Sequence, residues 1–272
     1  MKWLIFFICF GIQALLAEPR VVAIFGGSSC PWSKQLQDDI WDSAAFQTVL
    51  EKSGIQREIR KAAGSEAETP ILILLSSKGE EIGRLGYLIV PPEKYGELFN
   101  EMLQIDKISH HLNQLTADQL LILYRKCRLL NMQVCGEKIL EAGLLLDQGV
   151  DFLIEKYTKI CKDHPRKAHK IKEEIRKRSP SNASIEWQLA MLTFQSHQER
   201  GKEVKDAARP LEKYLRRYGD QDRDSRWRCH LILGEFYKEK NQMEKARSHI
   251  QQAIADAPPE LKQMITPLNI DE

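Results

Sequence analysis

Two patterns of apolar positions divide the chain. Up to about residue 105, short apolar runs alternate with stretches of helical spacing. Residues 20–25 (RVVAIF) form a β-rich run that ends at Gly26-Gly27 and Ser28-Ser29, the composition of a strand entering a turn. Helical spacing starts at Pro31, a residue well suited to a first helical position. It pauses at Asp42-Ser43, which can cap a second helical stretch through Leu50, closed by Gly54. Residues 55–59 read as a strand and 71–75 (ILILL) as a buried strand. The Ser77-Lys78-Gly79 turn returns the chain as a hairpin arm over 81–87, and Pro91-Pro92 opens a helix ending near Ile105. The predicted order is β-α-β-β-β-α.

From about residue 106 the strand runs vanish. Apolar residues recur at spacings of three and four, as in Leu120, Leu121, Tyr124 and Cys127, or Phe152, Ile154, Tyr157 and Cys161. Breaks fall at Asn131, Gly149, His164-Pro165, Ser179-Pro180, Gly219 and Pro258-Pro259. Helices of roughly 12–16 residues between short turns predict an array of helical hairpins. The expected divisions are 18–105, 106–180, 181–261 and a tail over 262–272.

The first seventeen residues stand apart. Met1-Lys2 supplies a positive charge, WLIFFICFGIQALL is almost wholly apolar, and Ala17 offers a small residue before Glu18-Pro19. That order predicts a secretory signal peptide cleaved near Ala17, with an uncleaved anchor as the alternative because Leu15 suits cleavage poorly. The apolar run is short for a bilayer span, and nothing later resembles one. A periplasmic or secreted protein is therefore expected. Over 272 residues, 43% are apolar and 29% charged, with 40 basic and 38 acidic side chains. This excludes a disordered chain, and a formal charge of +2 excludes a chain-wide nucleic-acid footprint.

Export changes the meaning of the cysteines. Of six, Cys9 leaves with the signal; Cys30, Cys127, Cys135, Cys161 and Cys229 remain. An odd number in an oxidising compartment leaves at least one thiol or an intermolecular bond. Cys127 and Cys135 flank Asn131 by four residues each. A hairpin turning there sets them opposite one another, as a disulfide or as two buried thiols. Cys30 follows a buried strand and a Gly/Ser turn and begins a helix, where backbone N–H groups and the helix dipole favour thiolate. Taken alone, it is equally compatible with a small buried hydrophobe.

The surrounding residues add to this. Phe25-Gly-Gly-Ser-Ser-Cys30-Pro31-Trp32-Ser33-Lys34, Thr69-Pro70 before the next strand, and the hairpin Lys78 to Tyr87 resemble the thioredoxin fold in motif order. The resemblance covers about residues 20–105 and extends to secreted disulfide-isomerase-like proteins of Gram-negative bacteria, chlamydial ones included. It implies that Cys30 is the nucleophile, that Pro70 is preceded by a cis peptide, and that Thr69-Pro70 pairs with a substrate polypeptide as an added strand. Trp32 would shape the mouth of the site.

Two departures limit this. Ser33 stands where the family has its second cysteine; it can hydrogen-bond a thiolate but cannot form a disulfide. One-thiol exchange survives: isomerisation, deglutathionylation or client retention. The stretch 55–69 is also short and polar for the helix that many family members carry there.

Residues 226–259, with Leu233-Gly234, Tyr237, Ala246, Ala253 and Pro258, match tetratricopeptide spacing, and 187–218 resembles a second repeat with an insertion at Gly201-Lys202. The expected architecture is an α/β thioredoxin-like domain followed by an all-α helical-hairpin, tetratricopeptide-like domain. The run from Lys159 to Arg178 holds nine Lys/Arg against three acids, read as a polyanion or membrane contact or as a solvated helix face. No metal site is expected at His110-His111 or at His164 and His169, no cofactor motif is present, and Gly26-Gly27 lacks the rest of a phosphate loop. The expected partners are disulfide-bearing secreted or envelope polypeptides and a protein docked on the helical array. The alternative is a non-catalytic periplasmic adaptor whose thioredoxin-like domain is redox-inactive.

Overall fold

The computed structural model of the chain describes residues 18–26, 30–61, 70–146, 149–201 and 206–265. The expected signal segment and Thr69 lie outside the described residues. The chain divides into two compact units, residues 1–146 and 147–272.

The first unit begins with β1 (Arg20–Phe25), α1 (Pro31–Leu36) running into a π-helical turn (Gln37–Trp41), α2 (Ala44–Lys52) and β2 (Gln56–Lys61). β3 (Ile71–Leu75), β4 (Glu81–Leu85) and α3 (Pro92–Ile108) follow. The sheet order is β2-β1-β3-β4; β1 pairs β2 in parallel and β3 antiparallel, and β3 pairs β4 antiparallel. β1 has neighbours on both sides and buries Val21 to Ile24, so it reads as a continuous apolar run. β2 is an edge, and its sequence QREIRK carries the charges that keep an edge strand from pairing further. A parallel β1–β2 pair needs a crossover, which α1 and α2 supply. This four-stranded mixed sheet with its helices fits a thioredoxin-like fold.

Ser43 caps α2 with extended backbone, and Gly54 turns the chain at φ +64. The hairpin arm expected to reach Tyr87 stops at Leu85. Beyond it the Tyr95 hydroxyl donates to the Gly86 carbonyl at 3.1 Å and accepts the Leu88 N–H, taking over what a neighbouring strand would have bonded. Phe46 packs against Trp41, Tyr95 and Phe99 with ring centroids 6.1, 6.4 and 6.3 Å away. Phe46, Tyr95 and Phe99 are fully buried, and burying an aromatic of this size contributes about 2–3 kcal/mol.

Two further helices complete this unit: α4 (Ala117–Leu129) and α5 (Gln133–Leu146), joined by a turn in which Asn131 takes φ +51. The turn is seated on β4. A Cβ at Gly83 would lie 2.9 Å from Met132 Cγ and 3.1 Å from the Leu130 carbonyl, so a side chain there would push the turn off the strand. Asn131 Nδ2 donates to the Arg84 carbonyl at 3.4 Å. Two helices with the spacing of the helical half thus share a unit with the sheet.

The second unit contains α6 (Asp151–Ile160), α7 (Pro165–Arg178), α8 (Ala183–Arg200), α9 (Arg209–Tyr218), α10 (Arg223–Glu239), α11 (Met243–Asp256) and α12 (Pro259–Ile265). In the α10–α11 hairpin a Cβ at Gly234 would come within 2.6 Å of Ile250 Cγ1. Ala246 and Ala253 are fully buried opposite, with Tyr237 nearly so; small residues let the two helices approach closely. A two-pronged pair, Arg226 Nε to Asp256 Oδ2 at 2.7 Å and Nη2 to Oδ1 at 2.5 Å, joins the start of α10 to the end of α11. No helix among the described residues is long and apolar enough to cross a membrane.

Candidate functional site

The site begins with the strand that feeds it. β1 is held rigidly in the middle of the sheet, and Gly26 leaves it with its N–H donating to Ser33 Oγ at 2.8 Å. Ser33 is 6% exposed. Cys30 caps α1 in an extended conformation (φ −80, ψ 110), with Pro31 at the first helical position. Its carbonyl accepts the Ser33 and Lys34 N–H groups at 3.2 and 3.4 Å, so the first turn is closed by the segment itself.

This arrangement acts on the Cys30 sulfur, which is partly exposed. Gly26 N–H occupies one acceptor position on Ser33 Oγ, which leaves the hydroxyl proton free to bond the sulfur. That hydrogen bond, then the Ser33 and Trp32 N–H groups, lower the Cys30 pKa below its ordinary value against an opposing desolvation. Donors aimed at the anion favour the thiolate, which is the nucleophile. The spacing Cys-x-x-Ser is what sets this up: one helical turn brings residues i and i+3 together.

Trp32 is 55% exposed and lies against Tyr87, with ring centroids 5.8 Å apart and planes tilted by 38°. The Tyr87 hydroxyl donates to Asp39 Oδ2 at 3.0 Å, and this hydrogen bond adds to desolvation in pushing the Tyr87 pKa up. Tyr87 and Asp39 also line a hollow of about 380 Å³ with Ile40, Ile89 and the Pro91-Pro92 pair. Tyr87 and Asp39 were not among the residues that sequence reasoning singled out for the site. No local signal could have found Tyr87, which stands 48 positions from its partner Asp39. Pro70 is buried immediately before Ile71, which pairs with Ile24. It therefore stands at the end of the sheet from which β1 runs toward Cys30. The Thr69–Pro70 peptide involves a residue outside those described.

The other cysteines sit in different surroundings. Cys229 is fully buried, its thiol donates to the Leu211 carbonyl at 3.7 Å, and burial pushes its pKa up. Burial also pushes Cys161 up. Cys127 and Cys135 are buried thiols facing one another across the α4–α5 turn. The hydrogen bond to Cys135, with burial, pushes the Cys127 thiol up. The structure sets them opposite one another, as both sequence readings require, and as buried thiols.

Among curated proteins the chain is similar to the thioredoxin-related protein DsbJ of Chlamydia pneumoniae, at 25% identity over 213 residues, 73% of this chain and 61% of that protein. The chain therefore spans less than two thirds of that relative's length. No family model matches the chain, and no solved structure matches it.

Proposed function

We propose that the chain is an exported thiol–disulfide exchange protein acting through the single thiol of Cys30 on disulfides of secreted or envelope polypeptides, as an isomerase or by retaining its client. The observation that carries this is the Ser33 hydroxyl, held by the Gly26 N–H at 2.8 Å and turned toward a partly exposed cysteine. The sheet that fits a thioredoxin-like fold and the similarity to a thioredoxin-related protein support it. The reading places the protein in the periplasm or outside the cell, with the segment 1–17 as its export signal, and takes the α8–α11 hairpins as tetratricopeptide-like.

The exchange balances without an external electron carrier. The Cys30 thiolate attacks one sulfur of a client disulfide, forming a mixed disulfide and expelling the other client sulfur as thiolate. A client thiolate, or a small thiol, then attacks the client sulfur of that mixed disulfide and expels Cys30 thiolate. The hydrogen bonds that stabilise the thiolate also make Cys30 a good leaving group in the second step. Ser33 has no sulfur, so the motif cannot itself end as a disulfide, and no net oxidation occurs. Trp32 and Tyr87 would flank the client chain, while Thr69 and Pro70 would present backbone to it.

The test is the pH dependence of Cys30 alkylation in the folded full chain, read by mass spectrometry of the Cys30 peptide, followed by reactivation of a scrambled disulfide protein. The expected result is a labelling midpoint below the ordinary value of about 8.5 and reactivation that Cys30→Ala abolishes. A midpoint at or above that value, with unchanged reactivation by Cys30→Ala, overturns the enzyme. It would leave the adaptor reading, in which the helical unit carries the function.

A further inference from the structure

The second unit holds a hollow of about 650 Å³ between α7, α8 and α9, and its walls are cationic. Lys172 and Arg176 line it from α7, and Arg209, Lys213, Arg216 and Arg217 from α9, against the single carboxylate of Glu186. Glu186 is already committed: Arg176 Nε and Nη2 meet its two oxygens at 2.7 and 2.9 Å. Arg209, Lys213, Arg216 and Arg217 are exposed, and none of the ion pairs formed among the described residues involves them. The hollow therefore keeps an uncompensated positive field.

Two groups at its wall register that field. Lys172 donates to Thr193 Oγ1 at 2.9 Å; burial, together with the nearby Arg176 and Lys213 charges, pulls its pKa down to about 8. His197, which also lines the hollow, keeps Nδ1 buried without a hydrogen-bond partner. An arriving anion would relieve the first and offer an acceptor near the second.

We propose that this hollow binds an acidic segment of a second polypeptide, with its carboxylates seated against Arg209, Lys213 and Arg216. A bilayer surface is disfavoured by what is exposed. Among the described residues of this unit the exposed large apolar side chains are Met243 and Met264, on α11 and α12, so helices α7 to α9 present none to insert among lipids. Single-stranded nucleic acid needs open aromatic faces for base stacking. Here Tyr214 is buried between Trp187 and Tyr218, at 5.2 and 6.0 Å. What remains is charge on a concave surface whose volume lies within the range of ligand sites, suited to carboxylates on a flexible chain. The site is independent of Cys30 and would give the protein a second point of attachment.

The probe is a fluorescein-labelled peptide of eight glutamates, titrated with the full chain by fluorescence anisotropy in 50 and 300 mM salt. Binding is expected at low salt, weakened by high salt. It should fall at least tenfold in the triple variant Arg209→Ala, Lys213→Ala, Arg216→Ala, whose exposed positions leave the fold intact by circular dichroism. A charge-matched triple variant elsewhere, Lys156→Ala, Arg223→Ala, Lys238→Ala, should bind as the parent does, and so should Cys30→Ala. The proposal is overturned by absence of binding at low salt or by equal losses in the two triple variants. It is also overturned if inorganic polyphosphate, or vesicles of phosphatidylglycerol and phosphatidylethanolamine (1:3), bind at tenfold lower concentration than the peptide.

Discussion

One cysteine from each unit, Cys30 and Cys229, shows how opposite surroundings set the chemistry of the same residue type. In the first, Cys30 sits at the start of a short helix, reached by water and by three hydrogen-bond donors, and its pKa falls. In the second, Cys229 is enclosed by apolar neighbours and its pKa rises. The chemistry of a thiol is decided by what surrounds the anion, donors in one case and hydrocarbon in the other. Charge differs as well. On the first unit's sheet Arg60 pairs with Glu58 and Arg84 with Glu81, whereas the second unit gathers unpaired cations on α9.

The largest effect that would break this contrast is on exchange itself. Cys30→Ala should lose at least a hundredfold in reactivation of a scrambled disulfide protein, while Cys229→Ala should retain the parental rate. A comparable loss in both would mean that the contrast between the two thiols is irrelevant to function. Next in size, Ser33→Ala removes the first cause of the lowered Cys30 pKa. The alkylation midpoint should move up toward about 8.5, slowing labelling several-fold at pH 7; an unmoved midpoint would show that the hydroxyl does not act on the sulfur.

Stability sharpens the comparison from the other side. Gly234→Val places a side chain where Ile250 Cγ1 is already 2.6 Å from a built Cβ. Overpacking of this kind costs about 1–3 kcal/mol, to be read as earlier chemical denaturation of the second unit with Cys30 labelling unchanged. The smallest expected effect comes from the His230–His249 pair, with Nδ1 atoms 2.9 Å apart. Burial, with His249 adjacent, lowers His230 to about 4. The unfolded chain takes up a proton near pH 6.5 and the folded unit resists until about 4, so stability is lost as pH falls through that window. Because the pair is only half-buried, solvent screening limits the loss to roughly 1–2 kcal/mol. His230→Phe should flatten the acid limb of the melting-temperature profile.

Much of the first unit was legible. The apolar run of β1, the Pro31 helix start, the pause at Asp42-Ser43 and the ILILL strand all stand where spacing and breakers put them. These signals act over one turn or one pleat. Cys30 and Ser33 were legible as a pair for the same reason, being three residues apart on a helix. The placement of α4 and α5 was not. Their spacing is purely helical, and what ties them to the sheet is a glycine on β4 that admits Met132 from 49 positions away. The basic run from Lys159 to Arg178 was visible too, but half of its meaning lies on α9, which supplies four of the cations facing Lys172.

The sequence by itself determined the order of elements, their breaks and a cysteine on the first turn of a helix beside a serine, because these depend on neighbours within a few bonds of one another. Only the tertiary structure decided that Tyr87 stands beside Trp32 and bonds Asp39, that a helical hairpin belongs with the sheet, and that cations from two helices share one hollow. Those contacts join positions far apart in the chain. Close packing selects them by shape and volume, which leaves no periodic trace in the order of residues.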